Sequence, residues 1–404
     1  MKVRNIFGYD EIPVILIFML ILLSGSIFQV FLFTPTWLFA FVIVVISIFK
    51  NRLLNKELLL KLLFIYLLLE IVIYLNFLLS ISNDLYDYNL LSLQLLLAIL
   101  IFFYFKQRRI DPVKYLEKVI VFICKISLLG LIISLFDLGW IWSNGGFSVK
   151  TVLYIFYYKF PIIDIGPLTI YRNQGLFWEP GILMIYANIL LFLSLFISYN
   201  KKKVILSSIT ILTTLSTTGL FIMAMQFLFL LLLNWNKGNL KFFHKFSAIL
   251  VLIVVFSVSV ISFKEKKQES YEVNLSSYNL RLLDFVTGYK ITKEHPIFGI
   301  GLNSKVYNEQ KYKHIPSILT EITETIENRG SSNSFISIFY NWGLIIGILI
   351  VYYLYKQTII YKNKVLFFFI IILGLSNEPI FATPFFLLIL VSGLWSYFGK
   401  IKYI

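Results

Sequence analysis

Apolar runs separated by short polar links recur along almost all of the 404 residues. Within the runs the hydrophobic positions are continuous; they neither alternate, as in a half-wet strand, nor keep to one helical stripe. Continuous runs near the ~20 residues that cross a bilayer predict membrane-spanning helices, and the lack of alternation argues against a transmembrane barrel. The predicted spans are 12–33, 35–49, 58–82, 90–105, 113–136, 180–199, 203–217, 219–233, 245–263, 334–354, 365–377 and 380–398. They make about twelve crossings, several of them short for a bilayer. The expected fold class is all-α: a polytopic transmembrane helical bundle forming one integral membrane domain over residues 1–404.

Composition agrees, with 59% hydrophobic residues and a mean hydropathy of +0.83. The formal charge of +15 first suggests nucleic acid, but its distribution points elsewhere. Basic residues cluster between runs, as at Lys50, Arg52 and Lys56, at Lys106, Arg108 and Arg109, and at Lys201 to Lys203. Such clusters mark cytoplasmic loops. With the N-terminus inside, every basic cluster falls inside, and the short outer links 34–36, 83–89, 216–219 and 377–384 carry no Lys or Arg. Both termini are therefore expected in the cytoplasm, with membrane lipids as the surroundings and no nucleic acid as partner. The run 12–33 is too long for a signal-peptide core and lacks a small-residue cleavage site, so it is expected to stay as the first span. Cys124, the single cysteine, lies inside a run and allows no internal disulfide.

Two outer segments are long, 137–179 and 264–333, and loops of that length usually have a function. Part of the first, rich in aromatics, is expected to dip into the interface as a short helix. The second holds "YNLRLLDFVTGYKITKE" (278–294), a predicted helix stopped by His295-Pro296 and a turn at Gly299 and Gly301. Each segment has one arginine set among apolar residues, Arg172 in "YRNQGLFWEPG" (171–181) and Arg281 in the predicted helix. A guanidinium stays charged and offers a planar fork of donors suited to phosphate; the alternative is an interfacial side chain reaching for lipid headgroups. Glu179 beside Arg172 reads either as a reactive carboxylate or as an acidic group at the start of a helix that opens with Pro180. Within the spans, Glu70 and Lys125 are expected to pair. Ser216, Thr217 and Thr218 with Gly219 make a polar corner that lines a path or caps helix ends. Glu321, Glu324 and Glu327 read as a solvated helix face. His244, His295 and His314 are scattered with no metal-ligand spacing, and there is no phosphate-loop or dinucleotide fingerprint, so no cofactor is expected.

The stretch "RNQGLFWEPG" at the start of a span resembles the Wzy-type O-antigen polymerases and the O-antigen ligases. So does the order of Arg281, "ITKEHPIFGIG" (291–301) and "SSNSFISIFYNWGLIIGIL" (331–349). By architecture the resemblance covers most of the chain, and by motif about 172–181, 281–301 and 332–347. It implies a GT-C-like helical glycosyltransferase bundle in the bacterial inner membrane, acting on the outer face without metal or nucleotide. A growing glycan would leave one undecaprenyl diphosphate and join a lipid-linked repeat unit, with Arg172 and Arg281 as catalytic cations holding the diphosphate. Glu179 is the candidate catalytic carboxylate, and His295 and Asn333 are further substrate-binding candidates. A flippase and a chain-length regulator are the protein partners such a polymerase implies. Ligases typically carry histidine before the asparagine that opens the next span; here Ser332 precedes Asn333, which favours the polymerase branch. The alternatives are a polysaccharide ligase and, from another class, a lipid-linked oligosaccharide flippase or transporter. Transporters commonly show inverted repeats, and none is visible.

The charge pattern makes a topological prediction. A reporter active only outside the cytoplasm works when fused near residues 160 and 310 and fails near 110, 202 and 360. An inactive fusion near 310 overturns the orientation.

Overall fold

The computed structural model describes residues 11–50, 55–81, 84–135, 140–144, 147–152, 156–158, 161–165, 168–235, 277–314 and 331–398. Helices dominate: α1 (Glu11–Leu22), α2 (Ile27–Phe31), α3 (Phe33–Phe49), α4 (Lys56–Leu79), α5 (Leu85–Arg108) and α6 (Pro112–Leu135) come first. After a strand segment follow α7 (Pro180–Phe192, continued by a π-helical turn Leu193–Ile197), α8 (Lys201–Thr214), α9 (Thr217–Trp235), α10 (Ser277–Glu294) and α11 (Ser304–His314). The last three are α12 (Ser334–Tyr355), α13 (Lys364–Leu375) and α14 (Pro384–Phe398). Among the described residues, four helical segments, α4, α5, α7 with its π turn, and α12, are long and apolar enough to cross a membrane by length and composition. Shorter apolar helices, among them α1, α3, α13 and α14, pack around them. The predicted span at 245–263, His244 and the glutamates of 320–328 lie outside the described residues.

The burial pattern sorts the helices. All thirteen residues of α7 are buried, as expected for a helix that is apolar all round and central; it packs against α6, α8, α9 and α13. By contrast α4 turns Leu60, Leu67, Ile71 and Leu78 outward, an apolar exterior suited to lipid.

Three sequence expectations are corrected. The segment 137–179 contains no helix among its described residues. It forms β1 (Trp140–Asn144), β2 (Phe147–Val152) and β3 (Phe156–Tyr158) in one antiparallel sheet, and β4 (Pro161–Ile165) with β5 (Leu168–Tyr171) in another. A short aromatic and β-branched run between turn residues has no period that separates strand from helix. Glu70 and Lys125 do not pair: Glu70 Oε2 accepts from Ser92 on α5 at 2.8 Å, while Lys125 is exposed on α6. The first run is not one helix either; it breaks at Leu23–Ser26, where Gly25 has φ +101°.

That break is bonded to the end of the first long segment. Ile27 N–H donates to the Leu176 carbonyl at 3.1 Å and Trp178 N–H to that of Gly25 at 3.3 Å. The Tyr186 hydroxyl of α7 donates to the Ser24 carbonyl at 3.1 Å, and Phe385 N–H of α14 to Ser24 Oγ at 3.0 Å. A second break lies inside α12 at Gly343 (φ +78°, ψ 171°). It is bonded to the 296–301 turn of the second long segment: Ile300 N–H donates to Tyr340 O at 2.8 Å, Gly301 N–H to Asn341 O at 3.2 Å, and Leu344 N–H to Pro296 O at 2.7 Å. Buried Asn76 of α4 braces the same place, its amide donating to Phe298 O and Asn341 O at 2.6 and 3.1 Å while it accepts from Tyr88 at 2.7 Å. The expected turn at Gly299 and Gly301 is thus a clamp on a broken helix.

A stability prediction follows. A Cβ at Gly343 would meet the Ile297 carbonyl, in a backbone region open essentially to glycine alone. Gly343→Ala therefore lowers the melting temperature of the purified protein by an amount corresponding to several kcal/mol, beyond the ~1–3 kcal/mol of backbone strain alone. Gly374→Ala, in a regular helix against the Ile185 side chain, costs far less. Equal shifts for the two would contradict the clamp.

Candidate functional site

The links expected on the outer face gather at one end of the bundle. Thr218 Oγ1 donates to Asn377 Oδ1 at 2.7 Å, joining the 216–219 corner to the 377–384 link. Asn303 Nδ2 donates to Asp84 Oδ2 at 3.4 Å, joining the second long segment to the start of α5.

Arg172 enters this end from the short stretch between β5 and α7. Its Nε donates to the Thr214 carbonyl at 3.0 Å and its Nη2 to that of Leu215 at 3.5 Å. These carbonyls end α8, where a cation is favoured by the helix dipole. The next residue continues the seam, with Asn173 N–H on Thr213 O and its Nδ2 on Thr213 Oγ1, both at 3.0 Å. Gly175, at φ +56°, lies so close to Ser127 of α6 that a Cβ would overlap it. Phe177 is buried and stacked on Tyr186, ring centroids 5.2 Å apart. The "RNQGLFW" stretch is therefore a packed plug, and Arg172 caps a helix end as well as pointing its charge into the site.

Arg281 arrives from one turn inside α10 and faces Glu378, Nη2 to Oε1 at 3.9 Å. Glu378 is buried and was not singled out in the sequence, where it sits in a short link. Its carboxylate lies against Gly181, so that a Cβ there would collide with Oε1. Glutamate at this spot places an anion beside the N-terminus of α7, the dipole-favoured position. Glu179 holds the N-cap position of α7, yet its side chain makes no capping hydrogen bond. The acidic group that serves this helix end comes from Glu378, 199 positions further along the chain than Glu179.

The four groups act on one another. Burial, above all, lowers the Arg172 guanidinium from its ordinary value, and Arg281 pushes the same way; Glu179 and Glu378 pull it back up. The group stays a cation nonetheless, given the intrinsic basicity of guanidinium. Two cations and two carboxylates from three separate stretches thus share one half-buried site.

His295 stands apart, whereas Asn333 lies between Ser332, bonded to Asp284, and Ser334, which accepts from Phe381 N–H. His295 follows the last turn of α10, fourteen positions after Arg281, or roughly 21 Å along a helix rising 1.5 Å per residue. Asn333 is the N-cap of α12, its side chain accepting from Ile336 N–H at 3.1 Å. Beside Arg281 lies instead a buried polar knot around Asp284. It accepts from Tyr307 at 2.9 Å and from both the N–H and the hydroxyl of Ser332 at 2.9 Å, and it pairs with Lys311 at 3.5 Å. Burial, then the neighbouring Tyr340 and Asp284, push the Tyr307 phenol up, so it remains a protonated donor. The knot holds α10, α11 and the start of α12 together.

Asp284 and Lys311 are both 3% exposed. Removing one partner of such a pair strands the other charge at ~3–5 kcal/mol. Lys311→Met is expected to destabilise the purified protein by about that much, and Asp284→Asn combined with Lys311→Met by clearly less; thermal unfolding in detergent measures both. A double variant no more stable than the single one would contradict the pairing.

No curated protein and no solved structure matches the chain. A family model described as O-antigen ligase matches residues 203–352. That stretch is 150 of the 404 residues; it takes in Arg281, the glycine clamp and the start of α12 and leaves out Arg172, Glu179 and Glu378. The match covers less than half of the chain and shows a likeness to that family over this stretch.

Proposed function

We propose that the chain is a polysaccharide polymerase that moves a growing glycan from an isoprenoid diphosphate to a new lipid-linked repeat unit on the outer face of the inner membrane. The observation that carries this reading is the convergence of Arg172 and Arg281, from two distant segments, on one half-buried site with Glu179 and Glu378. The acceptor hydroxyl oxygen attacks the anomeric carbon while the bond from that carbon to the diphosphate oxygen breaks. The bonding pair leaves with the diphosphate, where the two guanidinium groups offset the developing charge. The hydroxyl proton passes to a carboxylate, and Glu179, which is half-buried and does not cap its helix, is the group proposed to take it. Glu378 positions Arg281. The sugar–phosphate bond supplies the driving force, so the protein's work is orientation and charge stabilisation.

The ligase branch is the second reading. Ser332 stands where ligases typically carry histidine, and its hydroxyl is already given to Asp284, which favours the polymerase. Arg172→Ala or Arg281→Ala is expected to lower polymerisation on the order of 100- to 1,000-fold while the protein still inserts. Lysine rescues poorly at either position, because it keeps the charge and loses the fork. A gel of surface glycan with the lipid-linked pool reads the outcome. Single repeat units on the surface support the polymerase, long chains stranded on the carrier move the protein to the ligase branch, and normal long chains in the Arg281→Ala strain refute the site.

A further inference from the structure

Next to the charged site is a cavity of about 210 Å³. Its walls come from the start of α11, from the first two turns of α12 up to its break, and from residues 379–382, directly after Glu378. Among its lining residues none carries a charge. Its lining includes aromatic rings, Tyr307 and Tyr340, stacked with centroids 4.7 Å apart, and Trp342. It also includes small neutral polar groups, Asn303, Ser337 and Asn341 among them, with apolar Leu91, Ile338 and Phe381 between. Both chemistries meet in a space below the ~300–1,000 Å³ typical of drug-sized ligands.

Among the lining residues a phosphate or carboxylate finds no cation. The polar groups Asn303 and Ser337 are already bonded within the protein, so a purely apolar group would be tolerated but would make no use of the wall's polar atoms. A sugar ring suits such a mixed lining, with C–H faces for the aromatics and hydroxyls for the hydrogen-bonding capacity that Asn341 and the serines retain. We propose that this cavity seats one uncharged pyranose ring of the lipid-linked glycan, beside the site where the diphosphate is held. The inference rests on the proposed function for its lipid. Its own support is the neutral lining that mixes aromatic rings with amides and hydroxyls, and the placement of the wall, which continues from Glu378 through Pro379. Asp284 ties this wall to the arginine side, because its partners Tyr307 and Ser332 belong to, or adjoin, the cavity lining.

Two variants alter the cavity with little else at stake. Ser337→Leu fills it from a half-buried helical position, and Asn341→Ala removes a side-chain amide while leaving the carbonyl that Asn76 and Gly301 use. Purified full-length protein is titrated with an isoprenyl diphosphate bearing no sugar and with the same lipid bearing the neutral repeat unit, read by native mass spectrometry. The sugar-free lipid is expected to bind wild type and both variants alike, and the sugar-bearing lipid to lose at least tenfold in affinity in the variants. Sugar-bearing lipid held equally by wild type and both variants overturns the proposal. Failure of wild type to hold the sugar-free lipid counts against the diphosphate reading instead. A second measurement is independent of that reading: the released repeat-unit oligosaccharide, free of lipid and phosphate, slows amide exchange in 302–307 and 331–342 of wild type and not of Ser337→Leu. No protection in wild type also overturns the proposal. In turnover assays, a raised KM for the acceptor lipid assigns the ring to the acceptor, and a raised KM for the donor lipid assigns it to the donor.

Discussion

An interrupted helix in apolar surroundings leaves carbonyls and N–H groups that cannot turn to water, and each unpaired one costs several kcal/mol. Among the described residues two such interruptions stand out, at Leu23–Ser26 and at Gly343, and each is closed by one of the two long loops. The 174–178 stretch supplies partners to the first and the 296–301 turn to the second. Loops that would otherwise float above a membrane are thereby tied into the bundle by main-chain hydrogen bonds, which do not depend on side-chain identity. Glycines permit it, since both Gly25 and Gly343 adopt positive φ.

The charged site is a product of those two attachments. Arg172 opens the plug and is oriented by the end of α8; Arg281 lies on the helix that runs into the clamp at Gly343. Neither arginine is positioned by a long flexible loop, although both belong to long connecting segments. Gly181 completes the arrangement by leaving room for the Glu378 carboxylate above α7. The Asp284 knot fixes α10 against α11 and α12, and so fixes the direction from which Arg281 enters.

Much of this was legible in the chain. The apolar runs located most helices, and the isolation of Arg172, Arg281 and Glu179 among apolar residues marked three of the four charged groups that meet. Glu378 escaped because its link is short and looks like an ordinary turn; its partner is far away in sequence, and only packing shows the carboxylate resting on Gly181. The strands of 140–171 escaped because aromatic runs carry no decisive period. Glu70 and Lys125 were paired on the general cost of buried charge, yet a hydroxyl on the adjacent helix meets that need locally. Asn333 stands at the cap of α12 and His295 just past the end of α10.

The closeness of Arg281 to Glu378 and the mutual influence of Arg172 and Glu179 have a kinetic consequence. Two positive and two negative formal charges leave the site close to neutral, so its field fades within a few ångströms and gives little long-range pull on an anion. Under the proposed function, a diphosphate would arrive by lateral diffusion within the bilayer and gain its hold on contact, by taking over Arg281 donors from Glu378. Soluble phosphates, which approach from the aqueous side without a lipid to deliver them, gain no such advantage. Capture of this kind is selective through geometry and route of entry, and its rate is nearly indifferent to ionic strength.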